Sequence, residues 1–139
     1  MVGYVEDLTE NRVRNLLADI IYSLAMASQV EPMTCSMETA LECNEKPNVA
    51  EALKCFWEKC TTPRLRIMAE LVFASIRIPG FREAVLQEAG ILLRDECLKS
   101  NLDPVLCVYL RKPEAVKKVI EDMYEELLPV LQAFAQEPK

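Results

Sequence analysis

Histidine is absent from this chain of 139 residues, and with it go the commonest general base, the side chain that titrates nearest neutrality and a common zinc ligand. Glycine is scarce, at three residues, so there is neither a Gly-rich phosphate loop nor a Gly-x-Ser-x-Gly elbow for a hydrolase nucleophile. No Cys-x-x-Cys pair occurs among the six cysteines, which argues against a thioredoxin-like redox site. The intervening spacings of 7, 11, 4, 36 and 9 residues match neither a zinc knuckle nor an iron–sulfur pattern. The longest apolar stretch, residues 67–78, is interrupted by Glu70 and bracketed by Arg66 and Arg77, too short and too charged to span a bilayer. The first seven residues are acidic where a secretory signal is basic, and no apolar run with a small-residue cleavage site follows, so no export is expected. These absences point away from catalysis, cofactors, resident metals and membranes.

What is present is a chain that should fold as one domain over residues 1–139. Half of its residues are apolar and its eight prolines are scattered singly, which is unlike disordered or low-complexity sequence. The formal net charge is −6, unevenly spread. Residues 1–60 and 119–139 are acidic, whereas residues 61–118 hold ten Lys/Arg against seven Asp/Glu. An acidic protein with a mildly basic middle is a poor general binder of nucleic acid, although one face of it can meet an acidic partner.

Apolar spacing sets the expected helices. Val13, Leu16, Leu17, Ile20, Ile21 and Leu24 line one helical face over residues 9–29, with Thr9 as its cap. Pro32 ends that helix and a shorter one spans 34–43. Asn48 and Glu51 form an Asn-headed capping box that opens a helix over 48–60. Thr62-Pro63 repeats the start signal for a helix over 62–78 that is apolar on nearly every side, the pattern of a helix surrounded by others. After Pro79-Gly80 the periodicity of Phe81, Val85, Leu86, Ala89, Leu92 and Leu93 predicts a helix to about Ser100. Pro104 opens a short one through Tyr109. The last runs from Pro113 on the stripe Val116, Val119, Ile120, Met123, Leu127, Leu128, Leu131 and Phe134, with a kink at Pro129. The expectation is an all-α fold of about seven helices and no sheet, a compact bundle of antiparallel helical hairpins rather than a short α-solenoid.

The cysteines test these boundaries. Across an antiparallel hairpin, residues that face each other are equidistant from the turn. Pairing Cys35 with Cys60, Cys43 with Cys55 and Cys97 with Cys107 puts the midpoints at 47.5, 49 and 102, each at or beside a turn inferred independently. Bridging Cys55 to Cys60 within one helix fails, because five residues rise about 7.5 Å, beyond the usual Cα separation of a disulfide. Three cross-hairpin disulfides follow, each contributing about 2–3.5 kcal/mol by loop entropy. The alternatives are six reduced, buried cysteines packing as small apolar residues, or a cysteine-based metal or redox protein. Disulfides without an export signal, together with a lean Asn and Gln content, an excess of Glu over Asp and prolines in loops, point to the cytoplasm of a thermophile.

Charged groups supply the remaining candidates. Glu38/Glu42, Glu121/Glu125 and Asp122/Glu126 are carboxylate pairs four residues apart, but di-metal carboxylate bundles also draw on Glu-x-x-His, and a solvated face is the stronger reading. Glu70, inside the central helix, is expected to pair with Arg66 one turn back. Arg64, Arg66, Arg77, Arg82, Arg94 and Arg111, with Lys112, form the basic middle, a candidate contact for an acidic partner or nucleic acid. They lack interleaved aromatics for base stacking. The function expected from this balance is a non-catalytic interaction or assembly subunit that binds another protein or itself through an amphipathic helix face, such as that of the long C-terminal helix. An accessory subunit of a nucleic-acid-processing complex, gripping phosphates through those arginines, is the alternative.

Overall fold

The computed structural model describes the backbone of residues 2–136 and the side chains of residues 15–130. Among the described residues the chain is helical without strands: α1 (Val2–Ser28), α2 (Met37–Asn44), α3 (Val49–Cys60), α4 (Pro63–Arg77), α5 (Phe81–Ala89), α6 (Ile91–Lys99), α7 (Pro104–Arg111), α8 (Pro113–Asp122) and α9 (Tyr124–Gln136). The helix starts follow local chemistry. Side-chain oxygens of Ser36, Asn48 and Thr62 accept from the backbone N–H groups of Thr39, Glu51 and Leu65 at 3.1, 2.9 and 3.1 Å. Asp103 Oδ1 accepts from Val105 N at 2.9 Å, and Pro63, Pro104 and Pro113 occupy first helical positions, where a missing N–H leaves nothing unsatisfied. Of the expected capping box only the Asn48 half is present; no hydrogen bond returns from the Glu51 carboxylate among the described residues.

Among the described residues nine helices stand where about seven were expected, because two long segments break. Gly90 takes φ +93°, ψ 158°, a conformation that removes it from any helix, so the segment after Pro79-Gly80 becomes α5 and α6. The C-terminal segment breaks at Met123 (φ −110°, ψ 20°) and not at Pro129, which lies within α9. Across that break Val116, Val119 and Leu127 all reach one apolar cluster. Helix α1 begins at Val2, so Thr9 is inside it rather than at its cap. The side chains of Val13, Leu131 and Phe134 lie outside the described residues.

Helix α4 is central, as its all-round apolar pattern predicts. Its Leu65, Met68, Ala69, Val72 and Phe73 pack with Ile20, Leu24 and Ala27 of α1, Leu53 of α3 and Leu106 of α7. Its Leu71 and Ala74 join a second cluster with Phe81 and Val85 of α5, Val105 and Val108 of α7, and Val116 and Val119 of α8. Burying a large side chain of this kind contributes about 1.5–3 kcal/mol, and in both clusters the buried faces are the apolar stripes of their helices. The α1–α4 contact is closed at its ends by Arg77 Nη2 to Asp19 Oδ2 at 2.8 Å and by the Thr62 hydroxyl, which donates to Glu31. No described helix is long and apolar enough to cross a membrane.

Candidate interaction surface at the α5–α6 corner

All three expected disulfides are formed, and no described cysteine is free. Cys43 to Cys55 (Cα–Cα 5.3 Å) and Cys35 to Cys60 (4.9 Å) are nested and bind α2 and the segment before it to α3. The same pairing is supported by Thr34 N donating to the Cys60 carbonyl at 2.9 Å and by Lys59 Nζ to Glu42 Oε1 at 2.8 Å. The hydrogen bond from Lys59, reinforced by its charge, lowers the Glu42 carboxyl below its ordinary value. Cys97 to Cys107 (5.5 Å) joins α6 to α7. Five of the six cysteines are buried; Cys35 is exposed.

The basic residues do not converge. Arg64 pairs with Glu31 at 3.5 Å and Arg77 with Asp19, its guanidinium 5.5 Å from the Phe73 ring centroid. Arg111 pairs with Glu96 at 2.6 Å. Arg66 turns to the end of α3, donating from Nη2 to the Trp57 carbonyl at 2.9 Å and from Nε to Thr61 Oγ1 at 2.7 Å. Lys112 Nζ donates to the Glu88 carbonyl at 3.4 Å. Arg82 and Arg94 are exposed and join no ion pair among the described residues. Four of the six arginines are thus engaged with the protein itself.

The carboxylates divide in the same way. Arg66 is committed to α3, so the expected ion pair with Glu70 is not formed: Glu70, half-buried, has no ion-pair partner within 4 Å among the described residues. Burial pushes its carboxyl above the ordinary value, opposed by the field of Arg66. The break at Met123 puts Glu121 and Asp122 on α8 and Glu125 and Glu126 on α9, so these two pairs do not share a helix face. Among the described residues no cluster of three or more cysteines or carboxylates is placed to hold a metal ion.

The surface that sequence periodicity misplaces is the corner between α5 and α6. Leu92, expected in the core, is 82% exposed and Ile91 77%, the two most exposed large apolar residues of the described chain. They follow Gly90, whose left-handed φ swings the chain so that α6 starts with its first turn facing outward. Leu93 leans on the core and Cys97 is fully buried, which fixes the inward side of α6 by packing and by its bridge to α7. Beside the corner is an open hollow of about 570 Å³ bordered by Gly90, Leu92, Glu96, Arg111 and Lys112. By contrast, Val116, Val119 and Leu127 of the C-terminal stripe are buried.

No protein family model, no curated protein and no solved structure matches this chain.

Proposed function

We propose that the protein is a non-catalytic interaction or assembly subunit that presents the α5–α6 corner to another polypeptide. The observation that carries this reading is the pair Ile91 and Leu92. Two large aliphatic side chains lie mostly in water on a helix whose other side is held by a disulfide, with the Arg111–Glu96 ion pair beside Leu92. Rigid, solvent-exposed apolar groups rimmed by charge are the composition of a recognition surface, and pre-organisation by a covalent bridge cuts the ordering cost of binding. The engagement of Arg64, Arg66, Arg77 and Arg111 within the fold favours this reading over one in which the arginines grip phosphates.

Three disulfides in one small chain, with prolines at helix starts, support an origin in the cytoplasm of a thermophile. Thermal unfolding above about 90 °C is the expected signature.

Site-specific photo-crosslinking in the native cell tests the interface. With Leu92 replaced by a benzoylphenylalanine, covalent protein adducts are expected. The same replacement at exposed Glu114 is the control and should give none. Absence of adducts from position 92, or equal adducts from both positions, would overturn the proposal.

A further inference from the structure

We infer that the polypeptide received by this corner is a second copy of the chain, with α6 packed antiparallel on α6 of the other copy about a two-fold axis passing between Arg94 and Asp95. The inference rests on the reading of the corner as an interface.

At 100° per residue, Ile91, Asp95 and Leu98 project from one side of α6 with Arg94 on its flank, opposite the side that carries Leu93 and Cys97 inward. Leu98 is 46% exposed, so this outward side presents an apolar group near each end and opposite charges at its centre. Arg94 and Asp95 join no ion pair among the described residues. As sequence neighbours they point 100° apart on the helix and do not meet each other. Nearby charges behave differently: Glu96 holds Arg111 and Glu88 holds Lys118 at 3.4 Å. A plus and a minus side by side at the middle of an apolar-ended face form a pattern that is complementary to itself under a two-fold rotation.

In an antiparallel pairing centred between Arg94 and Asp95, Arg94 of each copy faces Asp95 of the other, and Ile91 of each faces Leu98 of the other. The symmetry makes every contact twice. Moving the register by one residue toward the C-terminus puts Asp95 against Asp95, which repels. One register is therefore preferred, and it is the one that buries the apolar ends. The charges of α6, Arg94, Asp95, Glu96 and Lys99, sum to zero, so the two copies meet on a neutral strip although each chain is −6 overall. A nine-residue helix is about 13 Å long, and its face supplies less than the ~800 Å² per partner of a standard interface. The dimer is accordingly a weak one that forms with rising concentration.

Sedimentation equilibrium over micromolar to millimolar concentration tests it, with circular dichroism showing that each variant is folded. The wild-type mass should rise from 15.8 kDa toward twice that value. Arg94→Asp alone and Asp95→Arg alone each place like charges across the axis twice and should weaken association at least tenfold. The double exchange Arg94→Asp with Asp95→Arg rebuilds the pairing and should restore it, and Ile91→Ser should weaken it. A wild-type chain that stays monomeric throughout, single variants that associate as well as wild type, or a double variant no better than the singles would overturn the inference. Adducts from position 92 to a different protein, alongside a monomeric chain, would overturn this inference and leave the interface reading standing. No adducts at all would remove both.

Discussion

The guanidinium of Arg66 lies 5.6 Å from the centroid of the Trp57 ring while its Nη2 donates to the carbonyl of the same residue at 2.9 Å. One side chain of α4 thereby covers an aromatic face and satisfies a carbonyl at the end of α3, where intrahelical donors run out. A planar fork does both at once and an ammonium does not. Arg66→Ala should lower the unfolding free energy by about 1–2 kcal/mol. Arg66→Lys should recover less than half of that loss in denaturant melts. A lysine variant as stable as wild type would show that charge alone suffices.

Gly90 offers a cleaner backbone test. A Cβ there would meet nothing within 4 Å, so the cost of Gly90→Ala is the cost of φ +93° alone. Destabilisation of about 1–3 kcal/mol is expected, read as a lower denaturant midpoint at unchanged slope. An unchanged midpoint would mean that the corner takes up another backbone geometry without penalty.

Accessibility orders the disulfides. Thiol–disulfide exchange requires a nucleophile to reach a sulfur, and Cys35 is the exposed member of the set while Cys43, Cys55, Cys97 and Cys107 are buried. Titration with a dithiol reductant, trapped by alkylation and read by mass spectrometry, should label Cys35 and Cys60 before the other four. Loss of this bridge, with its sequence separation of 25, should cost about 3.5 kcal/mol by loop entropy. Simultaneous labelling of all six would show that reduction proceeds through global unfolding instead.

Glu70 makes stability depend on pH. Its folded-state carboxyl is raised above the ordinary value of 4.5 by burial, so the folded chain holds that proton more tightly than the unfolded chain does. The corresponding stability is fully present below the unfolded value and is lost as pH rises through the folded one. Glu70→Gln should therefore raise the melting temperature at pH 7 by about 1–3 °C and change it little below pH 4. The same increment at both pH values would exclude the titration as its cause.

Much of the fold was legible because covalent and packing constraints agree. The spacing of Cys35, Cys43, Cys55 and Cys60 encodes the α2–α3 pairing, since sulfurs equidistant from a turn meet when the two helices fold back. The all-round apolar pattern of α4 announced its place between both clusters. The corner was not legible, because Gly90 interrupts a run whose three- and four-residue spacing continues through Leu92 and Leu93. Periodicity counts apolar residues without knowing whether the helix axis has turned between them. Glu70 and Arg66 show a related blindness: their spacing suits an ion pair, but the open carbonyls and indole at the end of α3 compete for the guanidinium, and that competition exists only once the helices are packed. Likewise, the break at Met123, which lets α8 and α9 reach the same cluster, is marked by no proline or glycine in the sequence.

The bridges have sequence separations of 25, 12 and 10, and the first four cysteines precede the last two along the chain. A growing polypeptide therefore contains its first four sulfurs before Cys97 has been translated. Oxidation at that stage chooses among three pairings instead of fifteen, and the final pair then closes without competitors. Linear order along the chain is itself a safeguard against scrambling.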